Sequence, residues 1–140
     1  MTFPAVSPML AVQQALYAMF NGDATLMALI TGVYDYVPED VAFPYLVIGE
    51  AIETPDNSHD RYGWETVVTV HVWTRSRGHA KGLGIGRRVT QLLDHQPLTV
   101  TGFDHVATRF EFSQPLVDPE PPGDIRHLIL RYRVVTEQPA

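Results

Sequence analysis

The chain has no cysteine among its 140 residues. Disulfide staples, thiolate metal sites and cysteine nucleophiles are therefore excluded. Nor does it contain an apolar run near the ~20 residues that cross a bilayer as a helix. Positive charge is scarce, with 10 Lys and Arg against 16 Asp and Glu and a net charge of −6. That is the reverse of the basic footprint by which DNA-binding domains displace counterions from phosphate. The N-terminus lacks a basic leader region and carries Pro4, so no signal peptide is expected. Catalytic and cofactor motifs are missing too. Gly82-Leu-Gly-Ile-Gly86 lacks the spacing and the Lys-Ser/Thr ending of a phosphate-cradling loop. His59, His71, His79, His95, His105 and His127 form no zinc-binding pair of the usual spacing. No Ser lies in a G-x-S-x-G elbow. The chain is expected not to be an enzyme and to use no cofactor or metal.

What is present is alternation. Strand-like runs cover residues 44–53 and 62–74, separated by the polar turn 54–61. A helical pattern occupies 76–94, and two more alternating runs follow over 103–116 and 125–135. Strand–strand–helix–strand–strand predicts an α+β domain: an antiparallel four-stranded sheet with a main helix packed on one face. Ahead of it lies an N-terminal helical segment, residues 7–30, with Pro8 suited to a first helical position after a Ser7 cap, Thr2 being the other candidate cap. Length and composition fit one domain over residues 1–140, with the sheet and helix core at 44–136. Residues 33–37 read as a short strand or an extended connector. The N-terminal segment looks like a helix–turn–helix, but Leu10 to Thr31 contains no Lys or Arg to touch phosphate, which excludes DNA reading.

Alternate residues of a strand face opposite sides. Val68, Val70 and Val72 share one face, as do Leu128, Leu130, Tyr132 and Val134. Leu46, Ile48 and Ile52 share theirs with Glu50, and Val106, Phe110 and Phe112 oppose Arg109, Glu111 and Ser113. Ile85, Val89, Leu92 and Leu93 give the helix a matching stripe, and Gly82, Gly84 and Gly86 allow a close approach or an irregular first turn. The opposite sheet face mixes Val67, Thr69, Trp73, Ile129 and Val135 with His127, Arg131, Arg133 and Glu111. Either it meets a protein partner or the N-terminal helix covers it. His71 and His127 fall on one sheet face, where a contact surface is a simpler role than a metal site. Asp35, Glu39 and Asp40 form an acidic cluster without calcium-loop spacing.

The order of a helical segment, "FPYLVIGE", a polar tip, "WETVVTVHVWTRSRGHAKGLGIGRRVTQLLD", "RFEF" and "HLILRYRVVTE" resembles the tail completion, or tail terminator, proteins of long-tailed phages and phage-like gene transfer agents. Pro44-Tyr45, Val70-His71-Val72-Trp73, Leu92-Leu93-Asp94 and Arg131-Tyr132-Arg133 carry the likeness. The resemblance implies a structural virion protein, made in the host cytoplasm, that caps the tail tube. It implies a self-assembled hexameric ring that ends tail assembly and meets the tail tube protein and the head–tail connector or neck protein. DNA passes through such a ring without sequence-specific binding, and no membrane is involved. On this reading Trp73, Arg131, Arg133, Arg87 and Arg88 are interface residues. Glu39, Asp40, Asp56 and Asp60 face the lumen or the head. The alternatives are a small ligand-binding or enzymatic ferredoxin-like domain, and a head-side neck completion protein.

Overall fold

The two longest alternating runs set the frame. In the computed structural model, which describes residues 3–139, the elements in chain order are helices α1 (Met9–Asn21) and α2 (Ala24–Met27), strands β1 (Val33–Tyr34), β2 (Tyr45–Pro55) and β3 (Gly63–Arg75), helix α3 (Ala80–Leu93), and strands β4 (Asp104–Val117) and β5 (Ile125–Glu137). Strands β3 and β5 pair without interruption from Gly63 opposite Glu137 to Arg75 opposite Ile125. The sheet order is β1-β2-β3-β5-β4.

The sheet thus has five strands, not the four expected, and is not wholly antiparallel. Strand β1 runs parallel to β2, with Val33 opposite Leu46 and Tyr34 opposite Val47. A two-residue strand is too short for alternation to reveal. It is held by tertiary hydrogen bonds, Thr31 N–H to Pro44 O at 2.8 Å and Leu46 N–H to Gly32 O at 3.1 Å.

All three helices lie on one face. Val12, Leu16 and Phe20 of α1, Leu26 of α2, and Ile85, Val89 and Leu93 of α3 share one buried cluster with Leu46, Ile48, Val68, Val70, Val72, Leu128, Leu130, Tyr132 and Val134. The N-terminal helices extend the cover that α3 begins and leave the opposite face open. Ser7 Oγ accepts from Met9 N–H at 3.3 Å at the start of α1, as a capping side chain does. Pro8, the residue before the helix, has no side-chain cap bond of its own, and Ser7 Oγ also donates to Glu53 Oε2 at 2.5 Å. Thr2 lies outside the described residues. Helix α3 begins at Ala80 rather than at 76, with no side-chain cap at His79. Before it, Ser76 N–H bonds Asp124 O at 2.6 Å and ties the helix entry to the β4–β5 turn. Of the helical glycines, Gly86 permits the close approach. A Cβ there would come within 2.5 Å of Leu128 Cδ2, whereas one at Gly84 would meet open space.

Bulges correct the expected facing in two strands. In β2 the register slips between Ile48 and Ala51. Ala51 therefore follows Leu46 and Ile48 onto the helix side, and Ile52 turns to the open side, 61% exposed. Glu50 is released outward with it. An extra residue resolves what strict alternation would have forced, a carboxylate facing an apolar core. In β4 the register slips between His105 and Ala107 and again between Phe110 and Phe112. Val106 becomes the extra residue, 55% exposed, and Thr108 fills the core position. Phe110 stays on the helix side opposite Tyr132, and Phe112 moves to the open side opposite Arg131.

Candidate interaction surface

The open sheet face is built on the outward residues of β2, β3, β5 and β4. Its centre is a hydrogen-bonded chain. His71 Nε2 lies 2.8 Å from Glu50 Oε1, and His71 Nδ1 lies 2.6 Å from His127 Nε2. At the His71–His127 contact one ring nitrogen donates and the other accepts, with the roles set by the tautomer. The Trp73 ring stacks on His127 at 3.9 Å between centroids and 9° between planes. Gly49 makes room for this arrangement, since a Cβ there would sit 2.6 Å from the His71 ring. Burial, and then the His71 charge, push the His127 imidazole below its ordinary range. Burial raises the Glu50 carboxyl, but its bond and attraction to His71 outweigh this and leave it below the usual carboxylate range.

Around this centre the face alternates cations and apolar groups. The Arg131 guanidinium lies 4.8 Å from the centroid of the Phe112 ring, and that of Arg75 lies 5.0 Å from the Phe43 ring. Arg133 pairs loosely with Glu65 at 3.7 Å. Phe112 and Leu116 are each 37% exposed. Aromatics and arginine are the residue types in which protein contact surfaces are rich, and apolar groups left open together mark such surfaces.

Strand β4 is a sheet edge covered over only half its length. His95 N–H donates to Thr108 O at 2.9 Å, and Phe110 N–H donates to Asp94 Oδ1 at 2.9 Å. The helix end thus occupies the edge as far as Phe110. Beyond it, residues 111–117 are exposed. Asp118 N–H bonds Ile125 O across the turn, so by alternation Pro115 stands where an N–H would point outward. Lacking that donor, it blunts the edge against strand addition.

The residues singled out from the sequence separate in space. Trp73, Arg131 and Arg133 lie together on the open face. Arg87 is exposed on α3, at the rim of a groove beside β4. Arg88 turns back into its own fold. Its Nε and Nη2 donate to the two carboxylate oxygens of Asp23 at 2.9 and 2.7 Å. Asp23 also caps α2 by accepting from Leu26 N–H at 2.8 Å, and the Arg88 bond holds its carboxyl below the usual range. This pairing clamps α2 to α3 and makes Arg88 an internal tie. Glu39 and Asp40 lie on the loop between β1 and β2. Asp56 and Asp60 lie at the β2–β3 hairpin tip, where Arg61 pairs with Asp104 and with Glu137. Sequence reasoning missed Phe112, Leu116 and Glu50 as members of the open face. The available signal was Glu50, a carboxylate out of place in an apolar run.

The protein is thus a single sheet with its helices all on one side and an arginine–aromatic face uncovered on the other. The chain belongs to the tail completion protein gp17 family, whose model matches residues 14–137. It is similar to the tail completion protein gp17 of Bacillus phage SPP1, 28% identical over 123 residues that span 88% of this chain and 90% of the relative. Among solved structures it is similar to a chain in the virion of a native gene transfer agent particle. That match has a TM-score of 0.85 and 24% identity, over 95% of this chain and 99% of the other. The fold also matches the structure of SPP1 gp17, with a TM-score of 0.62 and 26% identity, over 89% and 88% of the two chains.

Proposed function

We propose that this chain is a structural virion protein that closes the end of a phage or gene-transfer-agent tail. Copies form a ring, six around the axis, that caps the tail tube, ends its growth and joins it to the head connector. DNA passes through the lumen. The observation that carries this reading is the family match over nearly the whole chain. The architecture supports it. A ring of identical subunits needs two different patches per subunit that meet head to tail, and this sheet has two dissimilar edges and one uncovered face. The polar hairpin tip with Asp56 and Asp60 faces the lumen or the head, where negative charge lets DNA slide without adhering.

Removal of the chain from a producing strain tests the role. The expected result is filled heads beside separate tails of uneven length in electron micrographs. Joined particles with tails of normal length would overturn it. Mass measurement of the protein in particles tests the ring, with six copies per tail expected.

A further inference from the structure

The most exposed large apolar side chain among the described residues is Tyr36, at 83%. It sits on the loop that follows β1, with Asp35 before it and Glu39 and Asp40 after it. Thr31 Oγ1 fixes the base of the loop by donating to Ala42 O at 2.8 Å. At the opposite edge of the sheet, α3 stops short of covering β4. This leaves a groove of about 350 Å3 lined by Leu83, Gly86, Arg87, Phe110 and Leu128, among others. The missing side chain at Gly86 deepens it, and Leu83 and Phe110 remain 46% and 38% exposed on its walls. No carboxylate lines it. Among the described residues, Arg61, Arg75, Arg88 and Arg133 are committed to ion pairs, and Arg87 at the groove rim is not.

We propose that Tyr36 of one copy inserts into the α3–β4 groove of the next, with Asp35, Glu39 and Asp40 facing Arg87. The proposal rests on the ring reading and names the contact that builds the ring. Knob and groove lie at opposite sheet edges, so the contact is head-to-tail and repeats around an axis, as a closed ring requires. The charge signs match. The concavity on the other side of β4, beside Trp73 and Leu116, carries Asp118 and repels an acidic loop. Pro115 disfavours joining by strand addition, so a side-chain knob is the contact this edge permits. An aromatic ring so placed hides roughly 150–250 Å2 from water.

The absence of native cysteine makes the test direct. Tyr36→Cys and Leu83→Cys are combined in one chain, incorporated into assembled particles and treated with a short bismaleimide. A ladder of multiples of this chain is expected from the double variant and none from either single variant. Separately, Tyr36→Ser and Arg87→Glu each lower joined-particle yield about tenfold, as loss of an interface anchor does. The melting temperature of the isolated chain stays unchanged with Tyr36→Ser. Glu39→Lys with Arg87→Glu regains part of the yield. Normal particles whose double variant stays monomeric on cross-linking overturn the contact and leave the ring standing. Cross-links to a protein of different mass overturn it by assigning the loop to another partner. Particles that hold a single copy overturn the ring and the contact together.

Discussion

The two faces of the sheet are made from the same strands and spend their apolar residues differently. On the helix side, Leu130, Tyr132 and Val134 are 2%, 0% and 0% exposed, and their neighbours interlock with three helices. Tyr132 is anchored there by its hydroxyl, 2.8 Å from Thr90 Oγ1, and burial holds its phenol far above the ordinary range. On the open side, Trp73, Phe112 and Leu116 are no less hydrophobic in character, but Trp73 stacks on His127, Phe112 lies under Arg131, and Phe112 and Leu116 stay partly exposed. Burial on one face stabilises the fold. Incomplete burial on the other leaves free energy that another protein surface can still collect. Stability and assembly should therefore separate by face.

The largest effect that tests this separation is Tyr132→Ala. It should cost about 3–5 kcal/mol, the range for an aromatic removed from a core, measured by urea unfolding. Phe112→Ala on the open face should cost less than about 1 kcal/mol, as for partly exposed sites, while lowering the yield of joined particles. Equal losses of stability for the two would abolish the contrast.

Next come paired glycine substitutions on α3. Gly86→Ala presses a methyl group against Leu128, and overpacking outweighs the gain in helix propensity, for a net loss of roughly 1–2 kcal/mol. Gly84→Ala adds a methyl group in open space and should stabilise by about 0.5–1 kcal/mol. Thermal melts of the two variants should move in opposite directions.

A loss of similar size, about 1–2 kcal/mol, is expected for Asp23→Ala, which removes both the α2 cap and the tie to Arg88. Because the folded pKa of Asp23 is depressed, its contribution is complete above the unfolded carboxylate pKa. It disappears as pH falls through the folded value, where the unfolded state binds more protons. Wild-type and Asp23→Asn stabilities should therefore converge in acid. A constant difference down to the lowest pH would refute the linkage.

The smallest effect belongs to the open face. His127 has a folded pKa below its unfolded one, so the unfolded state takes up a proton first as pH drops below the ordinary imidazole range. Stability is then lost in that window. Glu50, His71 and Asp118 face this ring and set the size of the change. His127→Gln should flatten the stability profile between about pH 5 and 7. An unaltered slope would show that the His71–His127 contact does not discriminate between folded and unfolded protonation.

Much of this architecture was legible before any coordinates. Val68, Val70 and Val72, and Leu128 to Val134, announced their facing because uninterrupted alternation has one solution when one side is apolar. The stripe Ile85, Val89 and Leu93 announced the helix that covers them. Ile52, Val106 and Phe112 were misplaced because a bulge leaves no mark in composition. Each inserts one residue where pairing, not local propensity, decides the register. The candidate surface was half legible. Trp73, Arg131 and Arg133 follow from alternation alone. Arg88 looked like an equal of Arg87, and only the approach of α2 separates them.

Sequence by itself determined the long elements, the apolar sides of those that alternate without interruption, and the absence of thiol chemistry, because periodicity and residue type are local properties. Tertiary structure decided which side of the sheet the N-terminal helices would take, where the bulges turn side chains over, and which arginine is bound and which is free. Those outcomes depend on residues distant in the chain competing for the same space and the same hydrogen-bond partners, and no local pattern encodes that competition.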